Sequence, residues 1–288
     1  MISIGNLTVG GSGKTPLAAE IARLLIAMGE RPAILSRGYA RKIFEEGVVV
    51  VSDGSRILEP VERSGDEPQM LARAVPHAAV LVSSSRYLAG RVAESRLACT
   101  VHVLDDGFQH FDLMRDIDLL VLPDTSDDTR TLPFGRLREP LDAAAAADAL
   151  LVDISRRAGL ELQDPPYKEK PSFTFTRRLG GPAPDRPAFA FAGIARPERF
   201  FTDLELAGWT LTGRRAFADH HHYSARQIQE IQEVAKASGA QIILTTEKDI
   251  VRLASAGGIV AVPLEVSIEP SFQPWLAERL RAARAGAA

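Results

Sequence analysis

Thr8-Val9-Gly10-Gly11-Ser12-Gly13-Lys14-Thr15 stands between a short apolar run, Ile2-Ser3-Ile4, and an amphipathic run from Leu17 to Met28. Strand, glycine-rich turn, helix is the order that a nucleotide phosphate cradle requires. Glycines let the backbone curl until several N–H groups face one anion. The helix N-terminus adds its partial positive charge. The stretch departs from G-x-x-x-x-G-K-[ST] only in Thr8, which stands where the first glycine would be. Thr8, Val9, Gly10, Gly11, Ser12, Gly13, Lys14 and Thr15 are therefore the expected nucleotide-binding set. Lys14 is placed to reach the β- and γ-phosphates, and the Thr15 hydroxyl to ligate Mg²⁺.

Outward from this stretch, apolar runs alternate with helical patterns. Strands are expected at Ile2–Ile4, Ala33–Leu35, Val48–Val51, Ala79–Val82, Val101–Leu104, Leu119–Leu122 and Leu150–Ile154. Helices are expected at Leu17–Met28, Gln69–Arg73 and Ala89–Leu97, with Gly29 stopping the first. That alternation predicts a P-loop-like, doubly wound, mostly parallel sheet. Prolines 165, 166, 171, 182, 184 and 187 then cluster with Gly180 and Gly181, around a short alternating run, Ser172–Thr176. A second α/β pattern follows, and Phe272–Arg284 closes the chain as an amphipathic helix. The expected division is a nucleotide-binding domain over 1–167, a Pro-rich hinge over 168–187, and a smaller α/β domain over 188–288.

Composition narrows the class. The 288 residues are 45% hydrophobic and 25% charged, with a net charge of −3, as in a soluble globular protein with no general affinity for nucleic acid. The single cysteine, Cys99, excludes a disulfide scaffold and suits a reducing cytoplasm. No apolar run reaches transmembrane length.

A second signal is Val101-His102-Val103-Leu104-Asp105-Asp106-Gly107, an apolar strand ending in two carboxylates. Taken alone this is a turn. Behind a P-loop it has the form of a Walker B, with Asp105 or Asp106 able to hold Mg²⁺. In Gly65-Asp66-Glu67-Pro68 the proline places a helix start at or after Pro68, and Asp66 reads either as its cap or as a carboxylate at the nucleotide face. Asp219-His220-His221-His222-Tyr223 admits three readings: a metal site, a base or substrate contact, or a solvated cap before a helix at Ala225 with Ser224 as N-cap. Gly135-Arg136-Leu137-Arg138-Glu139-Pro140 brings cations and a carboxylate into one loop, and Ser36-Arg37-Gly38-Tyr39 follows a strand toward the same face. Thr246-Glu247-Lys248-Asp249 reads as a capping box.

Together with Gly5–Pro16, Phe108-Gln109-His110 and Ala192-Gly193-Ile194-Ala195-Arg196-Pro197, these motifs resemble, in order, those of the tetraacyldisaccharide 4′-kinases of Gram-negative lipid A biosynthesis. The P-loop of that family has the same Thr8 form. The resemblance implies transfer of the ATP γ-phosphoryl group, with Mg²⁺, to the 4′-hydroxyl of an acylated glucosamine disaccharide 1-phosphate. It implies that Asp66 acts as base with His220 assisting, and that Lys14 is catalytic. Asp105, Asp106, Thr15 and Glu139 would then hold the metal–nucleotide complex, and Arg37, Gln109, His110 and Arg138 would meet the substrate. It also implies a cytoplasmic enzyme lying peripherally on the inner membrane. Members of the family carry a helical segment ahead of the P-loop strand that is linked to membrane attachment. Because the sequence starts at that strand, weaker attachment is expected, through Phe272–Arg284 and apolar residues near the cleft. The competing readings are a P-loop kinase of a soluble metabolite and a nucleotide-dependent switch or metal-delivery GTPase. No guanine-reading Asn-Lys-x-Asp is present.

Overall fold

The computed structural model describes residues 1–9, 13–39, 41–43, 46–122, 130–154 and 167–286. In chain order the first part runs β1 (Ile2–Asn6), α1 (Lys14–Ala27), β2 (Pro32–Ser36), β3 (Val49–Asp53), α2 (Val61–Ser64), α3 (Asp66–Ala74), β4 (Ala79–Val82), α4 (Arg86–Leu97), β5 (Val101–Asp105), β6 (Ile117–Val121) and β7 (Ala149–Asp153). The second runs β8 (Ser172–Leu179), β9 (Ala188–Ala192), α5 (Pro197–Leu206), β10 (Leu211–Ala216), α6 (Ala225–Ala237), β11 (Ile242–Thr246), α7 (Glu247–Ile250), β12 (Ile259–Val262), β13 (Leu264–Ile268) and α8 (Phe272–Gly286).

Two sheets result. The larger has nine strands in the order β13-β8-β7-β6-β1-β5-β2-β4-β3. Every pairing from β8 to β4 is parallel, and both edges, β13 and β3, are antiparallel. The smaller sheet, β10-β9-β11-β12, is parallel throughout. The central strands are buried on both faces, which is why they read as continuous apolar runs. In β9 the alternation is visible: Ala188, Ala190 and Ala192 face α5, while Phe189 and Phe191 join the core that includes Tyr223 and Ile231 of the α6 side. β1 lies between β6 and β5, so the turn leaving its carboxyl end opens at the crevice where doubly wound sheets bind ligands. α1 buries Leu17, Ile21 and Leu25 at helical spacing against the sheet and ends before Gly29, at φ 84°.

The expected domain limits differ from this arrangement at two places. The 168–187 stretch contains β8, a full strand of the large sheet, because Phe173 and Phe175 bury their rings in its core. Residues 264–286 fall in the expected small domain, yet β13 pairs antiparallel with β8 and α8 packs Phe272, Leu276 and Leu280 into the large core. The apolar face of α8, expected as a membrane contact, is thereby covered. The small α/β unit is thus bracketed by two strands of the large sheet. α3 also begins two residues earlier than expected, at Asp66. Pro68 is tolerated there because first-turn N–H groups have no intrahelical acceptor.

This bracketing predicts that Phe272, fully buried with its ring centroid 5.2 Å from that of Phe173, stabilises the large unit. Phe272→Ala should cost about 3–5 kcal/mol, read as a lowered urea midpoint. An unchanged midpoint would detach α8 from that core.

Candidate active site

Lys14 and Thr15 open α1, whose first turn carries no acidic residue to offset its positive end. Gly13 precedes them at φ 79°, a left-handed conformation that favours glycine, and the tip of Arg177 lies close against it. The Lys14 ammonium donates to Oδ1 of Asn6 at 2.7 Å and lies 3.2 Å from Oδ1 of Asp106. Asn6 in turn donates to the Thr8 hydroxyl at 2.8 Å. Gly10, Gly11 and Ser12 lie outside the described residues.

The loop 135–139 is stitched to the start of this turn by backbone bonds. Val9 N–H donates to the Arg136 carbonyl at 2.8 Å, and Arg138 N–H to the Leu7 carbonyl at 2.6 Å. That register delivers Arg138 and Glu139 to the cradle. Arg138 Nη1 donates to both oxygens of Asp106, at 3.0 and 3.1 Å, and to Oε1 of Gln109 at 3.1 Å. Gln109 completes the ring by donating to the Asn6 carbonyl at 3.1 Å. His110 sits beside it, its ring held toward the neutral form by burial and by the charges of Arg86, Arg115 and Arg37. Arg37 itself is exposed at the end of β2.

The two carboxylates after β5 have different surroundings. Asp106 turns into the left-handed region at φ 57°, an uncommon conformation for a residue with a Cβ, and meets two cations there. Asp105 stays in the strand end, buried, with Oδ2 accepting from Thr15 at 3.4 Å. Its Oδ1 is buried without a hydrogen-bond partner. Burial, then the charges of Glu67 and Asp106, push the Asp105 carboxyl up to about 7 despite Lys14 and the Thr15 bond. Glu139 Oε1 is likewise buried and unpartnered. Hard oxygen donors with unfilled valence beside a phosphate cradle suit Mg²⁺, which takes one or two carboxylates and fills the rest of its shell with water and phosphate. Among the described residues no set of three acidic, histidine or cysteine side chains would hold a metal unaided.

A second centre forms where the two sheets meet. His220 Nδ1 lies 2.7 Å from Oδ2 of Asp66. Asp66 is 3% exposed and caps nothing; the α3 N-cap is Gly65, without a side-chain bond. Burial alone would raise the Asp66 carboxyl, but hydrogen bonds from His220 and Arg252 and the Arg252 charge outweigh it and hold it at about 2. His220, like Asp106, adopts a positive φ, 59°, fixed by its N–H bonds to the Gly193 carbonyl and Oδ1 of Asp219. The neighbouring histidines go elsewhere. His221 stacks on Phe217 with centroids 4.6 Å apart and faces Gln227, and His222 sits by Lys42. Ser224 caps α6 in a capping box with Gln227.

Sequence reasoning missed Arg252 and read Asp249 only as part of a cap. Thr246 does cap α7, accepting from Asp249 N–H. Asp249 itself is fully buried and accepts from Gly193 N–H, Tyr223 and Thr246. Burial and the Asp249 charge push the Tyr223 hydroxyl far up, so it stays a donor. A Cβ at Gly193 would lie 2.7 Å from the Tyr223 hydroxyl, which explains the glycine in Ala192-Gly193-Ile194. Lys248 approaches Nε2 of His220 at 3.2 Å and Glu67 at 3.7 Å. The Glu67 charge is also felt at Asp105, so the two centres share one face.

The family profile described as "LpxK: Tetraacyldisaccharide-1-P 4'-kinase" matches residues 1–281. The tetraacyldisaccharide 4'-kinase of Desulfotalea psychrophila is 41% identical over 276 residues, covering 88% of this chain and 78% of that protein. Its namesake from Geobacter metallireducens is 39% identical over 287 residues, covering 93% and 84%. The crystal structure of "apo" form LpxK from Aquifex aeolicus in complex with ATP superposes with a TM-score of 0.79 at 33% identity, covering 98% of this chain and 87% of that one. Whole-length likeness in sequence and in structure places the chain in the tetraacyldisaccharide 4'-kinase family.

Proposed function

We propose that this chain transfers the γ-phosphoryl group of ATP to the 4′-hydroxyl of a tetraacyldisaccharide 1-phosphate, with the Asp66–His220 pair as proton acceptor. The observation that carries the assignment of roles is the 2.7 Å contact of His220 with Asp66 across the two units, on the face shared with Lys14, Asp105 and Asp106. The hydroxyl oxygen bonds to Pγ as the bond from Pγ to the ADP oxygen breaks, and the hydroxyl proton passes to the pair. Asp66 is ionised throughout the working pH range, and both its partners occupy Oδ2, so Oδ1 takes part in neither bond. His220 gives the proton a second place to rest. Lys14 and Arg138 bring positive charge to the phosphates. Thr15, Asp105, Asp106 and Glu139 are the residues to hold Mg²⁺, which neutralises phosphate charge when bound with the nucleotide. Arg37, Gln109 and His110 are assigned to the sugar side.

The lipid substrate requires work at a membrane face. No described helix is long and apolar enough to cross a membrane. Tyr39, 71% exposed, lays its ring against His220 with centroids 5.5 Å apart, and Phe111 and Met114 stand 72% and 90% exposed on the segment that follows His110. These exposed apolar groups are our candidates for acyl-chain or bilayer contact at the cytoplasmic face of the inner membrane.

Three outcomes test this. Lys14→Ala should lower kcat by roughly 10²–10³-fold, as loss of a transition-state charge partner does, in an assay following phosphate gain on the disaccharide lipid. Asp66→Ala should lose about 10²–10⁴-fold and His220→Ala less. The double variant should match Asp66→Ala, whereas strictly additive losses would separate the two residues. The third concerns Asp105, whose carboxyl titrates higher folded than unfolded. Its ionisation therefore disfavours the free protein increasingly as pH rises from about 4 to about 7. Asp105→Asn should abolish turnover while raising the melting temperature of the ligand-free protein at pH 8 and not at pH 4. Unfolding at both pH values would make Asp105 a structural turn residue.

A further inference from the structure

Arg252 is the most enclosed cation at the junction, its side chain 0% exposed. Nη2 donates to Oδ2 of Asp66 at 2.5 Å and lies 3.5 Å from Nδ1 of His220. Nη1 donates to the Gly193 carbonyl at 3.1 Å and to Oδ1 of Asp249 at 3.3 Å. Asp66 belongs to the large unit; the other acceptors belong to the small one. Burying a guanidinium costs several kcal/mol unless its partners are well placed, and an apolar residue would fill this volume without that cost. The arginine is placed where its fork can hold one carboxylate from each unit at once.

We propose that Arg252 is a positioning residue for phosphoryl transfer: it fixes Asp66 through Oδ2 and makes that fixation conditional on the small unit being seated. This rests on the reading of Asp66 and His220 as the proton acceptor. Asp249 anchors Arg252 within the small unit, and the same Asp249 holds Gly193, whose carbonyl holds the His220 N–H. One buried carboxylate therefore aims both the arginine and the histidine at Asp66. When the units part, Asp66 loses its two partners together, and a half-assembled pair is avoided.

The charge matters as well as the aim. The groups facing the Asp66–His220 pair are Arg252 and Lys248 from the α7 segment, Glu67 on α3, Asp219 beside His220, Asp249 behind Arg252, and Lys42 and His222 at the rim, with the Tyr39 ring against His220. Arg252 is the cation nearest Asp66 among the contacts described. Its removal raises the proton affinity of the pair.

The test compares Arg252→Gln, Arg252→Lys, Asp66→Ala and wild type as full-length chains, with circular dichroism as the folding control. Arg252→Gln should lose about 10²-fold in kcat, the scale of a misplaced catalytic group, with KM for ATP unchanged. The acidic limb of its kcat/KM profile should move to higher pH. Arg252→Lys keeps the charge but not the fork, so its limb should stay in place while kcat falls to an intermediate value. Wild-type kcat and limb in Arg252→Gln would overturn the proposal, as would a fall in kcat with no movement of the limb and no recovery in Arg252→Lys. If Arg252→Gln fails to fold, wild-type kcat in Arg252→Lys overturns the role of the fork. Full activity in Asp66→Ala would instead overturn the proton-acceptor reading itself, and loss in Asp66→Ala beside a wild-type Arg252→Gln would leave that reading standing without this one.

Discussion

The oxygens of a carboxyl group with no solvent exposure must find hydrogen-bond partners inside the protein. Asp249 meets that demand with the Gly193 N–H, the Tyr223 hydroxyl, the Thr246 hydroxyl and the Arg252 guanidinium. Each donor comes from a different local structure: the turn after β9, the stretch before α6, the end of β11 and the chain after α7. Satisfying one buried carboxylate group thus fixes the relative placement of four segments, and His220 hangs from the first of them. The placement of His220 in the small unit is a consequence of the hydrogen-bond needs of a residue that itself lies behind Arg252.

Two buried carboxylates on the shared face are driven in opposite directions by what surrounds them. Asp66 is buried, but Arg252 and His220 both bond to it, and it stays ionised down to about 2. Asp105 is buried with Glu67 and Asp106 near and one oxygen unpartnered, and it rises to about 7. Opposite shifts in neighbouring acids divide their work. Asp66 stays an anion, the form that its proposed role of orienting His220 and meeting a hydroxyl requires. Asp105 gives up its charge as pH falls through about 7 unless a cation comes to it, and on the proposed reading that cation is the Mg²⁺ that accompanies the nucleotide. Lys14 alone does not restore the balance, because its ammonium is shared between Asn6 and Asp106.

What the sequence disclosed follows from range of interaction. The strand ending in Asp105-Asp106, the capping serine at 224 and the strand and helix on either side of the glycine-rich turn are local patterns, and they lie where expected. β8 was foreseen as a short strand, but its membership of the large sheet depends on pairing with β7 and β13, which no window of sequence contains. β13 follows β12 after a single residue, Pro263, and its alternation over Leu264–Ile268 was too brief to register. Asp66 could be read as a cap or as a functional carboxylate because the deciding partners are 154 and 186 residues away. Arg252 gave no signal at all: an arginine two residues beyond a four-residue helix is ordinary until the fold brings Asp66 to it. Asn6 was visible in the motif but silent as to role, since its work is to hold Lys14 and Thr8.

The character of the junction bears on how the proposed site could both admit a lipid and exclude water. Besides the Tyr39 ring against His220, the contacts described across it are ionic and polar: Arg252 and His220 on Asp66, Lys248 on Glu67. They are unequal. Lys248 and Glu67 stand 3.7 Å apart at 17% and 39% side-chain exposure, a geometry that contributes little in water. Arg252 and Asp66 are dry, at 0% and 5%, so their attraction is strong, and each would regain full hydration if the units separated. A polar junction of this kind has a low net cost of opening, unlike an apolar core of the same area, because water replaces what is lost. In the function proposed above, closure would do two things in one movement. It would remove water from the phosphoryl group's path, which suppresses hydrolysis of ATP. It would also complete the proposed proton acceptor, because Asp66 and His220 come from different units. On that reading the large unit holds the phosphates, the small unit licenses the transfer, and the buried arginine is the residue bonded to both.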